Sequence, residues 1–318
     1  MTTIGYHASH EQFSPGDLLD YVEHADRAGF EAAMCSDHFN PWNTNQGHSG
    51  FSFAWLGAAL QATALPMGLV CTPGYRYHPA IVAQALATLG EMFPERIWAA
   101  FGSGQALNES ITGEPWPAKE ERNQRLVECV EIIRALWAGE TVNHRGRVDV
   151  VEAKLYTRPE VPPFVMAPAL TPETAKWAAE WADGLITVAH PVDELREVVE
   201  AFRNNGGRGR PIYLQMQISY AGNDEEALEN AYEQWSTNIF DSPIQSDLTT
   251  PAHFEAAAEF VDPQDMQGPV RCSADIDQHV AWIRECLEIG FETIFLHNVG
   301  RNQREFISFF GEEVLPRL

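Results

Sequence analysis

Short apolar runs alternate with longer amphipathic ones along almost the whole chain. Runs such as Thr3–Ala8, Ala32–Cys35, Met67–Cys71 and Ile97–Phe101 are too short for helices and too continuous for half-exposed strands, so they read as buried parallel strands. Between them lie helical stripes. Ser14-Pro15 starts the first, with Ser as N-cap and Pro at the first helical position. Leu18, Leu19, Val22 and Ala25 form its stripe and Gly29 ends it. Further helices are predicted over 51–63, 79–93 and 119–137, the last with Leu126, Val130 and Ile133 on one face and Gly139 as its stop.

Residues 142–151 and 154–157 read as a small hairpin outside the rhythm. The alternation then resumes: strand 164–167, helix 172–181, strand 184–188, helix 192–204, strand 211–220 and helix 225–235. Residues 239–270, mixed in polarity and rich in Pro, read as an insertion with a helix through 253–260. Helix 276–287, strand 293–298 and helix 303–310 close the chain. Eight strands, each followed by a helix, predict an α/β fold, a single (β/α)8 TIM barrel over residues 1–318 with insertions at about 142–160 and 239–270. A doubly wound sheet is the alternative.

Composition narrows the partners. With 45 Asp and Glu against 21 Lys and Arg, the net charge of −24 disfavours nucleic acid and anionic membranes. Five scattered cysteines, Cys35, Cys71, Cys129, Cys272 and Cys286, read as buried free thiols of a reducing compartment. No signal-peptide pattern or membrane-span run is found, so a cytoplasmic protein acting on a small molecule is expected.

In a barrel the strand C-termini form the reactive face. That rim carries Glu11, Asp37-His38 and Trp42, then Thr72, Tyr75 and Arg76, then Ser103-Gly104-Gln105 and Asn108. Ala167-Pro168-Ala169, Thr187 to His190, and His297-Asn298 complete it. His38 is the titrating group and Glu11 the carboxylate. The rim carries no lysine, and its histidines lack ligand spacing, so no metal site is expected. Nucleophile-elbow and P-loop motifs are absent, and Gly102-Ser103-Gly104 lacks the third glycine of a dinucleotide fingerprint. A weakly charged rim of His, Trp, Gln and Asn suits a planar heterocyclic cofactor that performs the difficult chemistry itself.

Gly5-Tyr6-His7-Ala8-Ser9-His10-Glu11-Gln12-Phe13, Ser36 to Trp42 and Thr72 to Ala80 resemble motifs of the bacterial luciferase-like flavin oxidoreductases. Gly102 to Glu109 and His297 to Gln303 do so too, and the likeness runs through the whole chain. Within that family the chain resembles the branch that contains deazaflavin-dependent glucose-6-phosphate dehydrogenase. The resemblance implies a commonly dimeric barrel with a flavin or deazaflavin ring across the strand C-termini. It implies His38 as base or transition-state stabiliser at the substrate carbinol, Trp42 beside the ring and Glu11 near the substrate. Asp37, Thr72, Ser103, Gly104 and Asn108 match cofactor-contacting positions, and Ala167, Pro168 and Ala169 match a segment near the cofactor's phosphate-bearing tail. Leu69-Val70 falls where the family carries a non-prolyl cis peptide that buttresses the ring.

Two departures stand out. Gln105 occupies the position of a glutamate thought to protonate the deazaflavin, and an amide is no general acid. Arg271 matches an arginine of the family's sugar-phosphate pocket, but residues around His190 and Ala256 replace its lysines, so glucose 6-phosphate is not an expected substrate. FMN is therefore expected as cofactor, with hydride transfer between it and a small organic substrate and a monooxygenase fed by a flavin reductase as a variant. The alternatives are an F420-dependent alcohol or sugar dehydrogenase and a non-catalytic flavin-binding protein.

Overall fold

A computed structural model describes residues 2–318. Its strands are β1 (Thr3–Ala8), β2 (Ala32–Ser36), β3 (Met67–Cys71), β4 (Ile97–Phe101), β5 (Val142–His144), β6 (Val150–Ala153), β7 (Phe164–Pro168), β8 (Gly184–Val188), β9 (Ile212–Tyr220), β10 (Arg271–Ser273) and β11 (Thr293–Asn298). Strands β1, β2, β3, β4, β7, β8, β9 and β11 pair in parallel in that order, and β11 returns to β1. This is a closed eight-stranded (β/α)8 barrel, with β10 added beside the C-terminal end of β9.

The pleat sends alternate side chains to two cores. One set, including Tyr6, Ala33, Leu69, Ala99 and Leu185, packs outward against the helices. The other fills the lumen with Met34, Trp98, Ala100, Met166, Ile186 and Phe295. Gly5 and Gly68 make this filling possible. A Cβ on either would collide with the rings of Phe295 and Trp98.

The helices follow the expected stops. Ser14 caps Pro15–Ala28 by accepting from Asp17 N, and Gly29 ends it at φ +95°. The differences concern short elements. The hairpin pairs Val142–His144 with Val150–Ala153, so the expected second strand at 154–157 lies outside it. An Arg145–Asp149 ion pair of 2.8 Å closes its turn, and Glu128 accepts from Arg147 N at 2.8 Å. The helix expected over 172–181 stops at Ala178 and continues as turns through Trp181. The 239–270 insertion holds helices Ser242–Asp247 and Pro251–Ala257 and a 3₁₀ turn at Pro263–Met266. The second helix starts two residues earlier than expected because Thr250 caps it, accepting from His253 N.

Four cysteines are buried, Cys272 is half-buried, and all five are free. No helix among the described residues is long and apolar enough to cross a membrane.

Candidate active site

The C-terminal ends of β1 and β2 bring Glu11 and His38 together. His38 Nδ1 lies 3.3 Å from Glu11 Oε1, an approach of charge to dipole out of hydrogen-bond alignment. The other carboxylate oxygen, Oε2, accepts from Ser36 Oγ at 2.7 Å and Ser9 Oγ at 2.9 Å. Burial alone would raise the Glu11 carboxyl, but His38, the Ser36 hydroxyl and a backbone N–H outweigh it and hold it below the ordinary range. Burial lowers His38, and Glu11 opposes that only in part. The pair at neutral pH is thus a neutral imidazole backed by a carboxylate. Trp42 leans over it, with ring centroids 5.1 Å apart.

Beneath them His7 stacks on His297 at 4.2 Å between ring centroids. Gln12 Nε2 donates to Val299 O, so Gln12 Oε1 accepts from His297 Nε2–H at 2.9 Å. Burial pushes His7 down to about 4 and His297 well below its ordinary value, so both rings stay neutral.

The segment after β4 forms another wall. Residues 102–105 are half-buried between fully buried neighbours. Gly104 has φ +89°, and a Cβ there would press on Thr72 Cγ2 and Trp116 Cη2 at 3.0 Å. A Cβ on Gly102 would touch Pro168. The two glycines thus let this segment pack closely on Thr72, Trp116 and Pro168, and the half-buried Ser103 and Gln105 are the polar side chains it offers to the edge of a planar ring.

Other expected contacts are placed differently. Both oxygens of Asp37 are occupied, Oδ1 by Ser52 Oγ at 2.6 Å and Tyr77 OH at 3.2 Å, Oδ2 by Arg76 at 2.8 Å. With 1% of its side chain exposed, Asp37 faces the protein and not a ring. Asn108 Oδ1 accepts from Phe39 N at 2.9 Å and Asn40 N at 3.3 Å, bracing the His38 loop. Leu69 is fully buried in the outer core, so only the half-buried Val70 faces the lumen. Every peptide bond among the described residues is trans, including Leu69–Val70, where Val70 keeps its ladder pairing to Ser36 and Ala100. Ala167 and Ala169 also face the outer core, leaving Pro168 toward the mouth.

Arg271 and His190 do meet, in a groove of about 930 Å³ whose lining includes none of His38, Glu11, Trp42 and Gln105. Asp224, Glu225 and Glu285 line it too, and three carboxylates against one arginine disfavour a phosphate. Among the described residues no His, Cys, Asp and Glu cluster is arranged to hold a metal. Sequence gives no role to Arg76, Glu109, Ser9 or Ser36. The first two are joined at 3.1 Å and buried.

Fold and site together are those of a (β/α)8 barrel with a histidine–carboxylate pair at the C-terminal ends of its strands. The luciferase-like monooxygenase family model matches residues 1–293. Relatives include the F420-dependent glucose-6-phosphate dehydrogenase of Beutenbergia cavernae, 35% identical with 100% of this chain and 98% of the relative covered. The enzyme of the same description from Microbacterium testaceum is 34% identical over 99% and 97%. Among solved structures, an F420-dependent secondary alcohol dehydrogenase in complex with an F420–acetone adduct superposes with a TM-score of 0.91 at 30% identity, covering 99% and 98% of the two chains. A monooxygenase from Streptomyces bottropensis, at 19% identity and TM-score 0.75 over 99% of each chain, shares the fold. The chain belongs to the luciferase-like monooxygenase family, and it is a flavin- or F420-dependent oxidoreductase.

Proposed function

We propose that this enzyme is a dehydrogenase or reductase that uses coenzyme F420 on a small alcohol–carbonyl pair. The observation that carries the reading is the neutral His38 beside the ionised Glu11 at the barrel mouth. The full-length relatives named for F420-dependent reactions support the choice of cofactor. When bound, the deazaflavin supplies the hydride-accepting carbon. The chain supplies the proton chemistry. His38 Nε2 takes the carbinol proton as the C–H hydride leaves, and Glu11 stabilises the resulting imidazolium; the reverse reaction returns both. Thr72, the 102–104 backbone and Gln105 orient the ring, while Trp42 and Phe254, 5.2 Å apart edge to face, exclude water. Arg271, the expected phosphate clamp, lies among carboxylates in a groove apart from His38, which supports an uncharged substrate over a sugar phosphate.

A second reading, FMN as the cofactor, rests on Gln105. An amide beside the ring orients it but donates no proton, which suits a flavin that needs no protein acid.

Titration with F420 and with FMN, followed by turnover of propan-2-ol and acetone, separates the two. F420 binding with oxidation of propan-2-ol supports the first reading. Binding of FMN alone, with reduction by a nicotinamide donor, replaces it by the second. Binding of neither overturns both.

A further inference from the structure

The His38 ring lies beside the unaligned Glu11 carboxylate and the Trp42 ring, with a backbone group of Asn40 from its own loop against it, so the course of the 37–40 backbone sets its place. That backbone is clamped on both flanks. Downstream, Asn108 Oδ1 takes Phe39 N and Asn40 N. Upstream, Arg76 Nη2 donates to the Asp37 carbonyl at 2.5 Å, the oxygen of the peptide that leads into His38, and to Asp37 Oδ2 at 2.8 Å. The remaining faces of the same guanidinium are also used. Nε meets Glu109 Oε1 at 3.1 Å, Nη1 meets Tyr77 OH at 2.9 Å, and the Arg76 backbone N–H meets Glu109 Oε2 at 3.2 Å.

Arg76 follows β3, Asp37 follows β2, and Glu109 ends the short helix after β4, so one side chain ties three strand ends together. Side-chain exposure of 7% for Arg76 and 1% for Asp37 and Glu109 keeps water from competing. We propose that Arg76 is a positioning residue: anchored by Glu109, it fixes the Asp37–His38 peptide and thereby the place of the His38 ring. The inference rests on the reading of His38 as the proton-handling group. A rigid, planar fork is required, because a lysine ammonium has no second arm to span Asp37 and Glu109. A shift of about 1 Å in a reacting group costs on the order of 10²-fold in rate.

The test is Arg76→Lys, which keeps the charge and loses the fork, with Glu109→Gln as a second variant should the first fail to fold. Both are read in the full chain by ¹⁵N-histidine NMR titration of His38, by thermal unfolding, and by turnover of propan-2-ol with F420. The expected result is a move of the His38 nitrogen shifts toward a tautomer average, with kcat reduced about 10²-fold and KM nearly unchanged. In Glu109→Gln the same changes are smaller. A lower unfolding temperature with His38 shifts and kcat unchanged makes Arg76 merely structural and overturns the proposal. The NMR readout needs no substrate, so an inactive wild type would sink the functional reading while the positioning claim still stands or falls on the shifts.

Discussion

Replacing Glu11 by Gln removes one charge and little volume. Glu11 Oε1 lies 3.3 Å from His38 Nδ1, and at an effective dielectric of about 20 that charge favours the imidazolium by about 5 kcal/mol. The misaligned geometry means charge, not a directed hydrogen bond, carries the effect, so a Gln amide does not substitute. Proton transfer that is half complete in the transition state feels about half of it, roughly 2–3 kcal/mol, or about 10²-fold in rate. Glu11→Gln should therefore lower kcat about 10²-fold with KM close to wild type, and move His38 protonation to lower pH. Single-turnover hydride transfer over a pH series, together with ¹⁵N-histidine NMR, measures both. A kcat within about threefold of wild type, with His38 titration unmoved, would refute the dyad.

Three other outcomes follow from the geometry. Phe254 is fully buried against Trp42 and Leu107, so Phe254→Ala should cost about 3–5 kcal/mol in denaturant unfolding and raise KM; an unchanged midpoint would show that the insertion does not pack there. Gln105→Glu should change the ratio of F420 to FMN affinity or the rate of cofactor reduction, and constancy of both would remove Gln105 from any role at the ring. His7 and His10 are held near 4 by burial, against about 6.5 in an unfolded chain, so on acidification the unfolded state takes up protons first. Their contribution is full above about pH 6.5 and lost toward about pH 4, on the order of 3 kcal/mol apiece. Urea unfolding at several pH values should show a shallower slope in His10→Phe, and equal slopes would contradict the assignment.

The barrel is legible because each strand is a run of apolar residues bounded by turn or cap residues, as at Ile97–Phe101 before Gly102. Three-residue elements such as β10, Arg-Cys-Ser, carry no periodicity, and β10 forms only because β9 is long enough to offer Ile218, Ser219 and Tyr220 as partners. The Glu11–His38 pairing follows from two strand ends on one rim. The Arg76 network does not: Asp37 and Glu109 lie 39 and 33 residues away in sequence, and local pattern says nothing about which buried charges will meet. The same blindness makes Asp37 look like a ring contact and Arg271 like a substrate contact beside it. Pleat direction decides Leu69 and Ala167, which a motif names but the strand turns outward.

Trp42 comes from the barrel's own loop, whereas Phe254, which covers it, comes from the segment inserted after the Asp224–Trp235 helix. Roof and engine are therefore separate pieces of chain. On the proposed function, exchange of that one segment would remake the cover over Trp42 while Glu11 and His38, held on the barrel's own loops, stay in place.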